Sequence, residues 1–210
     1  MSIAENPLMG PMRKSMGNFI ISSYNGMTII RSKPFKIKDA KTEKQMNMRA
    51  RMTGIAEMYR AFDNIISLGF PENCVGKSPQ NMFVSANFST AFEMVDAKPV
   101  INYPLLLLSK GSLPEVKVLE AVTNIEGITV RYEADLSSDD VFATDEMIAC
   151  ALLKSGELLS ACQFRGYEPV GTILLKYPAL QAGDVACCFV FTHSGDGKKA
   201  SNSRYVEVKG

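Results

Sequence analysis

One segment, from Thr42 to Gly69, has the periodicity of a long amphipathic helix. Apolar side chains recur there at alternating steps of four and three residues, which places them on one stripe of an α-helix. Thr42 and Gln45 have the spacing of a capping box, so the helix is expected to begin there. Gly69 suits the first residue after a helix, and Pro71 blocks continuation. The stripe consists of Met48, Met52, Ile55, Tyr59, Phe62 and Ile66.

A β-hairpin is predicted before this helix, between residues 19 and 32. Its centre, Asn25-Gly26, favours a two-residue type I′ turn because both positions need a positive φ. That turn sets Ile21 opposite Ile30. A second helix is predicted from Ser78 to about Phe92, since Ser78 suits the N-cap and a proline follows it.

From residue 103 onwards the hydrophobic pattern has a period of two. Several short strands separated by turn signals, with no helix between them, are typical of an antiparallel β-sandwich. A tight hairpin at Ser155-Gly156 would set Ala149 opposite Cys162. The strands are predicted at 103–109, 115–123, 127–134, 145–153, 158–165, 170–176, 184–193 and 202–208.

Charged residues are distributed unevenly along the chain, although its net charge is only +1. Residues 1–60 hold 11 Lys and Arg and 4 Asp and Glu, whereas the remainder holds 12 and 18. The basic segment could therefore meet an acidic partner, the acidic remainder of its own chain or a neighbouring copy, or be a solvated basic face.

The expected location is cytoplasmic. Residues 1–16 lack the apolar core of a signal peptide, and no run of about 18 apolar residues would span a membrane. An odd number of cysteines without an export signal indicates reduced thiols. They are Cys74, Cys150, Cys162, Cys187 and Cys188.

Two short motifs contain residue types that could carry out chemistry. Residues 10–15 resemble a phosphate loop but lack the second glycine and the preceding strand that such a loop needs. His193 follows a predicted strand beside Ser194, Asp196 and Lys198, which indicates a solvated turn because no nucleophile is placed near it.

Neither a redox site nor a metal site is expected. Cys187 and Cys188 alternate across a strand, so one should point into the core and the other outward. An acidic loop misses the spacing of a calcium loop. The basic tract 31–44 has one aromatic residue and no nucleic-acid module, so nucleic acid is not the expected partner. The acidic loop contains Asp135, Asp139, Asp140 and Asp145.

Short motifs over nearly the whole chain resemble an uncharacterised family of proteins from Bacteroides-like bacteria, about as long as this 210-residue chain. That family has no assigned activity, so the resemblance implies a fold and no function. Arg13-Lys14-Ser15 stands where the family tends to have Ser-Gly-Lys. The motifs are residues 10–18, Ile30-Arg31-Ser32-Lys33-Pro34, Thr42 with Gln45 and Arg49, Leu68-Gly69-Phe70, Leu107 with Ser109-Lys110-Gly111, 194–198 and Ser201-Asn202-Ser203-Arg204-Tyr205.

The C-terminal part is similar to a fibronectin type III or immunoglobulin-like sandwich. Leu180, Gly183 and Asp184 resemble the corner before the sixth strand, where Ala186 replaces the usual tyrosine. The expected fold is α+β. An N-terminal hairpin with one or two helices (1–100) precedes an antiparallel immunoglobulin-like sandwich (101–210).

The leading hypothesis is a non-enzymatic structural or protein-interaction protein that binds a protein partner or itself. Its more specific form is an assembly subunit of a phage-like or mobile-element particle. The alternative is a module that binds a carbohydrate or other small molecule through sandwich loops near 135–145 and 193–199. For an enzyme, the third hypothesis, the candidate residues are Lys14, His193 and Cys188. No catalytic, cofactor or metal residue is assigned.

Overall fold

The computed structural model describes residues 2–4, 14–24, 27–34, 39–71, 78–95, 98–133 and 141–210. These residues form three α-helices and thirteen strands, an α+β fold as expected. Two compact units divide the chain. The N-terminal unit is Met1–Thr42 with Cys74–Lys77, and the main unit is Glu43–Asn73 with Ser78–Gly210. The predicted division between a helical region (1–100) and a sandwich (101–210) lies within the main unit.

The N-terminal unit contains an antiparallel sheet of four strands in the order β1-β4-β3-β2. The predicted hairpin forms its centre, and Ile21 pairs with Ile30 as expected. The predicted Asn25-Gly26 turn lies outside the described residues. Two short strands flank the hairpin. The strands are β1 (Ser2–Ala4), β2 (Lys14–Met16), β3 (Phe19–Tyr24) and β4 (Met27–Ser32).

The long predicted helix is two helices in the main unit, α1 (Glu43–Ala61) and α2 (Asp63–Gly69), with a break at Phe62. The second half of the predicted stripe is buried, since Ile55, Phe62 and Ile66 are fully covered. The first half is not, because the buried residues of α1 begin only at Gly54. Met48 and Met52 are 48% and 44% exposed.

Gly69 has a different role from the one predicted. It is the last residue of α2, and its φ is not positive. A Cβ there would lie 2.3 Å from the carbonyl oxygen of Leu108. The glycine is therefore needed for the close approach of the 106–111 segment to the helix, and not as a left-handed cap.

The second predicted helix, α3 (Pro79–Asn87), begins where expected. The Ser78 hydroxyl caps it by accepting a hydrogen bond from Asn81 N at 3.2 Å. It ends five residues early. Fully buried Asn87 uses its side chain to pair with the backbone N–H and C=O of Leu107, both at 2.8 Å. An unpredicted hairpin follows, formed by β5 (Phe92–Val95) and β6 (Lys98–Ile101).

Seven further strands form a sandwich-like pair of antiparallel sheets, with orders β11-β8-β7 and β10-β9-β12-β13. The predicted strand 103–109 is wrong, since Tyr103–Leu105 is a 3-10 turn and the 106–111 segment is irregular. The strands are β7 (Lys117–Asn124), β8 (Gly127–Glu133), β9 (Glu146–Leu153), β10 (Leu158–Phe164), β11 (Val170–Lys176), β12 (Val185–His193) and β13 (Arg204–Val206).

The predicted register of the β9–β10 hairpin is shifted by one residue. Ala149 pairs with Ala161 instead of Cys162. The connection has three residues, because Leu153 N donates to Glu157 O, and Gly156 in it has a φ of +90°. A three-residue turn with a left-handed glycine replaces the two-residue turn that the sequence predicted.

Two hydrophobic cores lie on opposite faces of the sheet β10-β9-β12-β13. Even-numbered residues of β9, such as Ile148, pack in one core with Phe62 of the helical region. Odd-numbered residues, such as Ala149, pack in the other with Val130 of the facing sheet. The helices and the strands of the main unit therefore share one hydrophobic core. A strand covered on both faces needs no polar side, which explains why the apolar run of β9 is continuous.

Candidate functional site

One end of the sandwich brings three connections together. We call it the loop end: residues 141–145 before β9, 164–169 at the end of β10, and 194–199 after β12. Two backbone bonds extend the β9–β10 ladder into it. Arg165 N donates to Asp145 O at 2.7 Å, and Gly166 N donates to Ala143 O at 3.1 Å. The first two connections are thereby held side by side.

Asp145 fixes the third connection to the first. Its side chain is buried, with 1% of the residue exposed. One carboxylate oxygen accepts from Phe142 N at 2.8 Å and the other from Gly195 N at 3.3 Å. A carboxylate with backbone donors on both oxygens is a strong local tie. The loops predicted to form a site therefore do meet, for the described residues 141–145 and 193–199.

Three aromatic side chains are exposed at the loop end, two on its connections and one at the last residue of β10. Phe142 is 60% exposed, Phe164 is 69% exposed and Tyr167 is 87% exposed. Phe142 precedes Ala143 and Tyr167 follows Gly166. Because Gly166 N donates a hydrogen bond to Ala143 O, the backbones of Phe142 and Tyr167 are neighbours. No motif in the sequence indicated a functional role for any of the three. The available signal was the position of Tyr167 beside Gly166 in a predicted turn.

His193 lies next to the turn that Ser194, Asp196 and Lys199 build. The histidine is 8% exposed, and its Nδ1 lies 3.9 Å from a carboxylate oxygen of Glu146 without a hydrogen bond to a described residue. The Ser194 hydroxyl donates to Asp196 Oδ1 at 2.7 Å and accepts from Lys199 N at 2.8 Å. Hydrogen bonds from Ser194 and Lys198 N lower the pKa of Asp196. These bonds build the predicted turn, but only residues 195–199 of it are solvated, because His193 and Ser194 are buried.

The two adjacent cysteines correct one expectation. Neither points outward, because each lies in one of the two cores. Burial raises the pKa of both Cys187 and Cys188 to about 12. Cys162 is exposed on β10, and partial burial and then the charge of Glu146 raise its pKa to about 11. None of these three thiols is poised as a nucleophile at neutral pH.

The remaining candidates are dispersed or lie outside the described residues. Gly10 to Arg13 and three of the loop aspartates, Asp135, Asp139 and Asp140, are outside them. Lys14 begins β2. Within the described parts of the chain, no three His, Cys, Asp or Glu side chains are grouped so that they could hold a metal ion.

A family model supplies the relationship to other proteins. The model described as "Family of unknown function (DUF6266)" matches residues 11–207. The chain belongs to this family. The expected likeness to a family without assigned activity is thereby confirmed, whereas the Bacteroides-like origin and the immunoglobulin-like detail stay predictions. No curated protein and no solved structure matches this DUF6266 member.

The match covers all three connections of the loop end, together with β2 to β13. The aromatic side chains of this DUF6266 member thus lie inside the matched region. Among its described helices, none combines the length and the apolar character that crossing a membrane requires.

Proposed function

We propose that the protein is a non-enzymatic interaction protein, a subunit that associates through the loop end of its sandwich. The observation that carries this proposal is the exposure of Phe142, Phe164 and Tyr167 on loops that hydrogen bonds hold in place. Clusters of exposed apolar side chains mark interaction surfaces more often than single exposed apolar residues do. Aromatic side chains on prearranged loops bury much area at a small entropic cost.

The three aromatic residues would form the centre of an interface and not all of it. A typical stable interface buries about 800 Å² on each partner, and a few central aromatic residues carry most of its binding energy. Polar neighbours such as Glu168 and Lys198 would then form the rim, where charges set orientation and salt sensitivity.

The use of the polar candidates supports a role without catalysis. Ser194 and Asp196 are engaged in building their own turn, and Asp145 is engaged in joining two loops. The finer form of the proposal is a subunit of a phage-like or mobile-element particle. It draws support from the separation of basic and acidic sequence, which suits subunits that repeat along an assembly.

Molar mass in solution tests the proposal. Light scattering after size-exclusion chromatography should give species larger than the 23.0 kDa chain, and these should dissociate on dilution or in high salt. The triple variant Phe142→Ser, Phe164→Ser, Tyr167→Ser should associate at least about tenfold more weakly. A wild-type monomer at every concentration and salt would overturn self-association through this surface.

The matched control is Ile125→Ser. Ile125 is 88% exposed in the β7–β8 turn, at the far end of β8 from the loop end. Removing an equally exposed apolar side chain there should leave the molar mass unchanged. An equal loss of association in this control would show that the effect is general surface hydrophobicity and not the loop end.

A second candidate function is the binding of a carbohydrate or other small molecule by the same loops. The bond between Asp145 and Gly195 favours it, because it brings together the two loops that such a site would need. A ligand that binds only the folded protein raises its melting temperature. In a panel of glycans and nucleotides, each at a saturating concentration, at least one compound should raise the melting temperature. An unchanged melting temperature with every compound would remove this candidate.

A further inference from the structure

The N-terminal sheet lacks a core of its own. Among its described side chains, none is buried. Ile21 and Ile30 share one face, Ile20 and Ile29 lie on the other, and all four are only half-buried. Phe19 at one end is 55% exposed. A small sheet that shows apolar side chains on both faces gains most of its stability from whatever covers them.

Charge narrows the choice of what could cover this sheet. The segments of the N-terminal unit, 1–42 and 74–77, hold 8 Lys and Arg and 2 Asp and Glu, a net charge of +6. The rest of the chain holds 15 and 20, a net charge of −5. Arg31 and Lys33 are exposed at the end of β4. A complementary surface should therefore be apolar, rigid and not basic.

Two apolar surfaces of the main unit differ in charge. The exposed methionines of α1, Met48 and Met52, flank Arg49 and Arg51 in the sequence of the helix. That helix would repel a basic sheet. The loop end carries its three exposed aromatic residues on a surface without net charge, because exposed Glu168 and Asp196 balance exposed Lys198 and Lys199, and part-exposed Glu146 lies beside it. Of the two surfaces, the loop end is the better match.

We infer that the occupant of the loop end is the N-terminal sheet of a second copy of this chain. This inference rests on the proposed function and adds the identity of the partner surface. The two surfaces differ, so the contact is heterologous and each copy has one of each kind free for a further neighbour. Such contacts produce closed rings when the rotation closes and open chains when it does not.

Two variants of the full chain separate this arrangement from others. The sheet variant is Arg31→Glu, Lys33→Glu. The loop-end variant is the triple serine substitution at positions 142, 164 and 167. All five positions are exposed, so both variants should fold, and circular dichroism and the melting temperature check this. Each variant alone should associate at least about tenfold more weakly than the wild type at low salt.

The decisive experiment mixes the two variants. The sheet variant keeps an intact loop end, and the loop-end variant keeps an intact sheet. An equimolar mixture should therefore form a dimer of about 46 kDa, twice the mass of the 23.0 kDa chain, and stop there. Absence of this rescue would overturn the inference, because a symmetric interface that pairs the same surface twice cannot be restored by mixing.

The control for charge is Lys154→Glu, Lys176→Glu, which changes the net charge equally at two exposed positions at the far end of the sandwich. It should associate like the wild type, and equal weakening would overturn the role of the sheet. If the loop-end variant is monomeric while the sheet variant associates normally, this inference fails and the proposed function stands. A wild type that is always monomeric removes both.

Discussion

The hydroxyl oxygen of Ser109 lies 2.6 Å from the carbonyl oxygen of Ser201, although 92 positions separate the two residues in the sequence. The same hydroxyl is 2.9 Å from Gly69 O. Ser203 completes the contact, since its N–H donates to Ser109 O and its hydroxyl accepts from Leu108 N. Three of the motifs that carry the family resemblance therefore meet in one buried polar joint. In this chain they hold the fold together.

Removing the hydroxyl of Ser109 should destabilise the protein without affecting association. Ser109→Ala leaves the buried carbonyl of Ser201 without this donor, and we expect a loss of about 1–3 kcal/mol in the free energy of unfolding. Urea denaturation followed by circular dichroism measures it. Exposed Ser160 on β10 supplies the control, since Ser160→Ala should stay within about 0.5 kcal/mol of the wild type. Equal effects of the two substitutions would contradict the joint.

A methyl group at Gly69 should be poorly tolerated. In Gly69→Ala the new Cβ would lie 2.3 Å from Leu108 O and 2.9 Å from Ser109 Cα, so the helix end and the 106–111 segment must separate. We expect a loss of about 1–3 kcal/mol or more. Gly183→Ala is the control, because a Cβ there has no heavy atom within 4 Å. A normal melting temperature for Gly69→Ala would show that the segment gives way easily.

Local sequence patterns predicted most of the strands, whereas contacts between residues distant in sequence determine the conformation of the irregular segments. Alternation in the sequence of β8 places Ile128, Val130 and Tyr132 on one face, and all three are buried. The same reasoning wrongly predicts a strand at 103–109. The apolar residues of that range fill a core, but the segment that carries them is irregular. That segment is fixed by Asn87, about 20 residues earlier, which no local pattern shows.

The candidate site was predictable only in its polar half. The loops near Asp145 and His193 were identified because polar residues cluster in sandwich turns. Phe142 and Tyr167 lie outside that polar pattern, and because aromatic residues are more often buried than exposed, their residue types alone do not indicate a surface role. Their exposure follows from a ladder that extends past the ends of β9 and β10 through Gly166, whose φ is +73°.

Breaking the tie at Asp145 should loosen the loop end before it unfolds the protein. Asp145→Ala leaves Phe142 N and Gly195 N without their acceptor, and we expect a loss of about 1–3 kcal/mol in stability together with weaker association. Asp145→Asn keeps one carbonyl oxygen as an acceptor, so its stability should lie between those of the wild type and Asp145→Ala. Hydrogen exchange should show faster exchange at both amides. Unchanged protection at Gly195 would contradict the tie, and exposed Glu126→Ala serves as the control.

The buried thiols should make the protein less stable in alkali. Burial raises the pKa of Cys188 to about 12 from an ordinary value of 9.0, so the native state keeps a proton that the unfolded chain releases. Unfolding then releases protons as the pH rises above 9.0, and stability falls over that window while it is unaffected below it. Cys187 on the same strand, with a pKa of about 12, acts in the same direction.

The variant Cys188→Ala should therefore lose stability less steeply than the wild type between about pH 8 and pH 11, whatever its stability at neutral pH. Urea denaturation at each pH, with a reductant present, measures both slopes. Val190→Ala is the matched control, because Val190 lies on the same strand and in the same core and carries no titratable group. It should lower stability by a constant amount at every pH. Parallel curves for the wild type and Cys188→Ala would show that this thiol ionises alike in both states.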